Sequence, residues 1–396
     1  MNKVSQERAL KIILSLIKPL GKETVSIENS YGRTLAEAIV SKNFSPPADC
    51  SSMDGYGINS YKKGSTNGYR LVGEVQAGKS YYKDVKSGEA VRIFTGANIP
   101  RGVDKIIPQE NLLSKIGNNL KFLNSNDKFI RSKGTNFKPG FKIKKDNLLS
   151  PRLISLIAAM NFGKISVLKK PKVAILSIGN ELSYPGNSLK NSKISSSNSY
   201  GLKAFIQSKN GEAYLKPIIK DEEEAITQSI RQSLKFDLII TIGGASVGKY
   251  DLVYDAALKA GITFSFTQVN MRPGKPFKAG QKGNTLFFSI PGNPVSSLIC
   301  SQLFIGPVLD KLQGNIHSLN VKEALLLEDM EANGSRKHFI RSKLLQKNNK
   351  SYVKPFKNQD SSNLTILNKA NSLIMREEYA PAVKKGGKVK IIELNI

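Results

Sequence analysis

Leu10, Ile13, Leu16, Ile17 and Leu20 recur at helical spacing near the start of the chain, which predicts an amphipathic helix packed on a domain. Lys11 and Lys18 interrupt that stretch, and no apolar run approaches the roughly 18 residues that a membrane crossing needs. Short β-like pieces follow until Pro46-Pro47 breaks the chain. Between residues 44 and 140, turns rich in Gly, Asn and Pro separate short alternating runs, which predicts a small β-rich domain with strand candidates at 69–75, 90–94 and 105–108. The piece 148–167 reads as a helix followed by a short strand. It is expected to return to the opening helix, so that 1–43 and 141–170 form a discontinuous connector domain.

From Pro171 the pattern becomes strand, loop and helix in alternation, at 173–177, 200–207, 237–242, 251–260, 285–290 and 295–312. Such alternation predicts a parallel α/β domain with crossover helices, over 171–318. Short alternating stretches return at 338–345, 352–355 and 388–393, predicting a C-terminal β-barrel or sandwich over 319–396. The fold class expected is multidomain, α/β plus β.

With 396 residues, 40% of them hydrophobic, the chain can bury several cores. Its two cysteines, Cys50 and Cys300, form no CxxC pair, which excludes a disulfide framework and a thiolate zinc site and fits a reducing, cytoplasmic setting. Only two histidines are present, His317 and His338, without metal-ligand spacing, which argues against imidazole catalysis and reads both as structural or solvated. The formal charge of +29 suits anionic ligands. Its lysines are spread along the chain rather than gathered in an arm or stripe, which argues against nucleic acid.

The chemistry concentrates in loops. Gly243 and Gly244 follow a buried apolar strand and lead through Ser246 and Gly248 to a helix, an arrangement that lets backbone amides approach an anion. Pro291, Gly292, Asn293 and Ser296 form a second loop of this kind, and two such loops in one sheet could cradle one extended anionic ligand. Between them Arg272 and Lys275 flank a Pro-Gly turn that ends at Pro276, a rigid display of two cations suited to phosphate or another tetrahedral oxyanion. Glu181 ends a third strand. A carboxylate beside bound phosphates suggests a bridging divalent cation, so Glu181 and Asp251 are candidate ligands for Mg2+.

The most distinctive segment runs from Pro46 to Tyr56 and contains Met53-Asp54-Gly55. Taken with Thr95 to Glu110, Ser177 to Leu182, Gly243 to Gly248, Pro273 to Pro276 and Pro291 to Ser296, in that order, it resembles the molybdopterin molybdenumtransferase (MoeA and gephyrin E-domain) family over essentially the whole chain. The resemblance implies a homodimer of four-domain subunits, with the active site between the α/β domain of one subunit and the β-rich domain of the other. It implies adenylylated molybdopterin and molybdate as substrates, Mg2+ as cofactor, and AMP and metallated cofactor as products. The Gly243, Ser246 and Ser296 loops would hold pterin and phosphates. Arg272, Lys275, Pro276, Arg341 and Ser361 would hold molybdate. Asp54, Glu181 and Asp251 would position the metal, and Thr95 the substrate. Transient contact with molybdopterin adenylyltransferase and with molybdoenzymes is also implied.

The chain departs from the family pattern at Asn136 and Asn180, where carboxylates are usual, at Arg272 for Lys, at Asp360 for Gly, and at Ser195 to Asn198 for a Tyr-Asp-x-Asn run. Fewer carboxylates mean weaker metal binding. A pterin adenylyltransferase and a binding scaffold are the competing readings. The β-rich segment and C-terminal domain argue against the first, and the absence of a fused partner domain against the second.

Overall fold

The computed structural model describes residues 3–60, 68–123, 126–189, 192–244, 251–315 and 319–394. The chain divides into two compact units, one of residues 1–23, 32–34 and 166–396, the other of 24–31 and 35–165.

The first unit is organised by a six-stranded sheet in the order Glu212–Leu215, Lys172–Ser177, Leu238–Ile242, Thr285–Ile290, Lys278–Lys282, Thr263–Phe266. The first four strands are parallel and the last two antiparallel. Leu238–Ile242 is buried at every position, as a strand covered on both faces must be. Alternate residues serve different cores. Val173, Ile175, Ile240 and Phe288 face one cluster with Leu202, Ile206 and Leu303, whereas Ala174, Leu176, Ile239 and Phe287 face another with Ile226, Ile230 and Val253. Ser177 pairs with Ile242, which pairs with Ile290, so three strands end in register and their loops leave from one edge.

One of the covering helices runs continuously from Pro294 to Leu312. A π turn at Ser301–Ile305 separates its two α segments, just ahead of Pro307, which has no N–H for an α ladder. By length and composition this run could cross a membrane, contrary to the expectation that no apolar run reaches that length, and it is mostly buried in the core of the first unit. The opening helix, Gln6–Ser15, is capped by Ser5, which accepts from the Arg8 N–H. Its buried Ala9 and Ile13, with Ile17, join the core that contains Leu309 and Leu312. Its apolar stripe is covered by the helical run.

Residues 321–393 close into a five-stranded barrel. Lys337–Lys347 pairs on one side with Lys350–Pro355 and on the other with Ser372–Arg376, and Val321–Leu326 and Lys388–Glu393 complete the ring. Closure removes the open edges that a sandwich would keep. A short parallel ladder, Met271↔Lys337 and Arg272↔His338, ties the barrel to the segment between the sheet strands Thr263–Phe266 and Lys278–Lys282.

The second unit holds a six-stranded sheet in the order Lys105–Pro108, Gly55–Ile58, Glu89–Ile93, Tyr69–Val75, Asn119–Phe122, Leu112–Ile116. Gly55 is required there, because a Cβ would lie 2.1 Å from the Ile107 carbonyl oxygen of the neighbouring strand. The same unit contains the helix Pro151–Ala159, with Ser150 as its N-cap.

Candidate active site: two adjoining cavities at the sheet edge

The aligned strand ends of the first unit open on a pocket of about 360 Å³. Gly243, Gly292 and Asn293 form one side of it, and Ser177, Glu181 and the 195–198 segment the other. The loops touch closely. A Cβ on Gly243, whose φ is +88°, would sit 2.4 Å from the Ile178 carbonyl oxygen, and one on Gly292 would sit 3.4 Å from the Gly243 Cα. The Asn198 side-chain amide donates to the Gly292 carbonyl at 2.6 Å and fixes the second loop. Beneath the pocket Ser196 is buried and bonded to the Ser177 and Ser199 hydroxyls, so neutral hydroxyls occupy a region where the family resemblance led one to expect a carboxylate. Ser246 and Gly248 lie outside the described residues.

A second cavity, of about 350 Å³, adjoins the first. The turn from Arg272 to Pro276 contributes Arg272 and Lys275, and the barrel contributes Arg336, His338 and Arg341. The turn is closed by the Phe277 N–H donating to the Gly274 carbonyl at 3.0 Å, and the Lys275 carbonyl accepts from the Val269 N–H at 3.0 Å. Arg341 is 1% exposed. Its Nε and backbone N–H donate to Gln359 Oε1, and Nη1 and Nη2 donate to the Asn363 and Asn358 carbonyls. Burial depresses the Arg341 guanidinium and Asp360 opposes that effect. Asp360, on the cavity wall, is held below the usual carboxylate range by the Ser362 N–H and hydroxyl. The two cavities meet where Asn293 donates to the Ser361 hydroxyl at 2.9 Å and the Ser361 carbonyl accepts from the Val295 N–H at 3.0 Å. Ser361 lines the second cavity and Ser362 the first.

The candidate carboxylates behave differently. Asp251 accepts from the Tyr254 N–H as a helix cap and forms an ion pair with Lys278 Nζ at 2.6 Å, with both side chains under 10% exposed. Its charge is balanced within the protein by Lys278, so a metal ion bound there would compete with that pair. Glu181 is exposed. Asp54 and Thr95 belong to the second unit, where the Thr95 N–H and hydroxyl both donate to Asp54 at 2.7 Å and hold it below the usual carboxylate range. Thr95 thus orients Asp54. Among the described residues no three His, Cys, Asp or Glu side chains gather as a metal site. Among its described residues, the first unit therefore offers no carboxylate cluster that would hold Mg2+ by protein alone.

Sequence reasoning passed over Arg336 and Lys278, read His338 as structural or solvated, and met Asn198 only as the end of a run that departs from the family pattern. Only the crowding of Arg336, Lys337 and His338 just before Arg341 hinted that basic groups converge there.

Three family descriptions match the chain in order. They are the MoeA N-terminal region (domain I and II) over residues 4–161, a probable molybdopterin binding domain over 174–311, and the MoeA C-terminal region (domain IV) over 323–394. The molybdopterin molybdenumtransferase of Haemophilus influenzae is 30% identical, with 80% of this chain and 81% of that protein covered. The enzyme of that name from Staphylococcus aureus is 28% identical, with 99% and 96% covered. A crystal structure of the molybdopterin biosynthesis MoeA protein from Pyrococcus horikoshii OT3 superimposes with a TM-score of 0.80 at 26% identity, covering 99% of this chain and all of that one. With these matches spanning the α/β sheet, the barrel and the β-rich unit alike, the chain belongs to the MoeA family.

Proposed function

We propose that the protein acts in molybdenum cofactor biosynthesis as a molybdopterin molybdenumtransferase, inserting molybdenum from molybdate into adenylylated molybdopterin with release of AMP. The observation that carries this reading is the pair of adjoining cavities, one lined by Arg272, Lys275 and Arg341, the other by glycine loops at a parallel sheet edge. Cationic side chains held by Gln359 and the Pro-Gly turn suit a tetrahedral dianion, because their orientation is set before it arrives. The Gly243 and Gly292 loops suit phosphate and pterin, since strand ends of an open α/β sheet are where such ligands bind. The Asn293–Ser361 bridge joins the two, so that a substrate spanning both would meet molybdate at its dithiolene end.

In this reading Asp54, preset as a carboxylate by Thr95, acts on the same substrate from a partner subunit of a homodimer. Mg2+ would reach the reaction with the substrate's phosphates, with Glu181 beside them, while Asp251 is paired with Lys278. A cytoplasmic setting and transient contact with the adenylyltransferase and with molybdoenzymes belong to the same reading.

The experiment is AMP release from adenylylated molybdopterin with and without molybdate, scored beside reconstitution of a cofactor-free molybdoenzyme. Release and reconstitution that both depend on molybdate are expected. A folded protein that yields neither overturns the proposal.

A further inference from the structure

His338 lines the arginine cavity, and neither the sequence motifs nor the family resemblance gives it a task. Its backbone pairs with Arg272 on one side and with Arg376 on the other, so it stands in the middle of the cationic wall. The ring is half-buried, and no hydrogen bond from a described residue reaches it. The charged groups around it come from every neighbouring element. Arg272 and Lys275 are on the turn, Arg336 and Arg341 on its own strand and the approach to it, Arg376 on the adjacent barrel strand, and Asp360 on the 358–363 loop. Burial, followed by the four guanidiniums, pushes the imidazole down to about 4. At neutral pH the ring therefore carries one N–H donor and one bare nitrogen.

A dianion in the cavity reverses that balance. Two negative charges among the guanidiniums remove much of the repulsion that keeps the ring neutral, and a protonated nitrogen can then donate to an anion oxygen. We propose that His338 is a ligand of the oxyanion in this cavity and takes up one proton from solvent as the anion binds, so that occupancy is linked to pH. The step forms one N–H bond at the proton's expense to the buffer, with no change of oxidation state. It rests on the reading of this cavity as the molybdate site. Sulfate has the same shape and charge and holds both charges across the range of interest, so it separates proton uptake by the protein from proton uptake by the ligand.

The test uses the full chain. With only two histidines, ring-proton NMR resolves both, and H317N assigns them. The His338 midpoint is expected near 4 without anion and at least two pH units higher in saturating sulfate. Calorimetry of sulfate and molybdate binding near pH 6, in buffers of different ionisation heat, should show proton uptake in the wild type and none in H338Q. Between about pH 7 and 5.5 the wild-type sulfate affinity should tighten by up to about tenfold per unit, with H338Q nearly flat. Binding of both anions with an unmoved His338 midpoint overturns this inference and leaves the proposed function standing. Binding of neither overturns the reading of the cavity and this inference together. The NMR arm needs no substitution at His338, so a variant that folds poorly does not decide the outcome.

Discussion

The Lys278 ammonium lies 2.6 Å from the Asp251 carboxylate, with both side chains almost fully buried, and the same carboxylate caps the helix Leu252–Lys259. Removing one partner leaves a charge in the protein interior without compensation, which costs about 3–5 kcal/mol. K278M should therefore lower the urea unfolding midpoint strongly, and K278M/D251N should recover a large part of the loss. Equal midpoints for the single and double variants would show that the pair is not coupled.

That ion pair also bears on the metal. If Asp251 is committed to Lys278, D251N should leave Mn2+ binding to the substrate-free protein unchanged, measured by electron paramagnetic resonance. A clear loss of bound Mn2+ would restore Asp251 as a ligand.

Arg272 and Arg341 share a cavity but differ in their setting, one exposed on a turn and the other buried and bonded to Gln359, Asn358 and Asn363. R272M should weaken molybdate binding by roughly ten- to a hundredfold, the worth of a hydrogen bond to a charged group, with little change in the unfolding midpoint. R341M should lose binding and stability together, because its carbonyl and amide partners are left unpaired. Calorimetry and denaturant titration on both variants check the contrast.

Asn293 and Ser361 can be tested as a pair. N293A and S361A should each weaken molybdate binding, and their effects should fall short of additive by about 1 kcal/mol, since either change breaks the same bond. Strict additivity would mean that the bridge does not transmit to the cavity.

Asp54 is held ionised by two bonds from Thr95, with Arg92 adding a smaller favourable field. A folded-state value below the unfolded one stabilises the fold above the ordinary carboxylate range, and that contribution fades as pH falls towards the lowered value. T95V should bring the Asp54 titration back up towards the ordinary range, read by carboxyl NMR. D54A should abolish AMP release with little change in folding, and near-normal release would remove Asp54 from the mechanism.

The parallel sheet was legible because its central strands are mostly apolar runs, and the loops because glycine and proline mark the ends of those strands. Lys275 and Arg341 were recognised within motifs. His338 and Lys278 were not, because their partners lie far off in sequence: the ladder to Met271–Arg272 shows what stands beside His338, and the ion pair with Asp251 what stands beside Lys278. The partner of Asp251 was hidden for the opposite reason. A carboxylate ahead of a helix looks free in sequence, and the lysine that claims it lies 27 positions later on an antiparallel strand. That the Pro294–Leu312 run covers the opening helix was not legible, since an amphipathic stripe states that a face is covered without naming the cover.

The ladder between Arg272 and His338 is only two residues long, yet among the described residues the barrel has no other strand pairing with the segment that carries the Pro-Gly turn. An anion held between Arg272 on one side of that seam and Arg341 on the other would work as a rivet. Occupancy should then be felt as resistance to the barrel peeling away, so that the cargo awaiting transfer also keeps shut the part of the molecule that carries it.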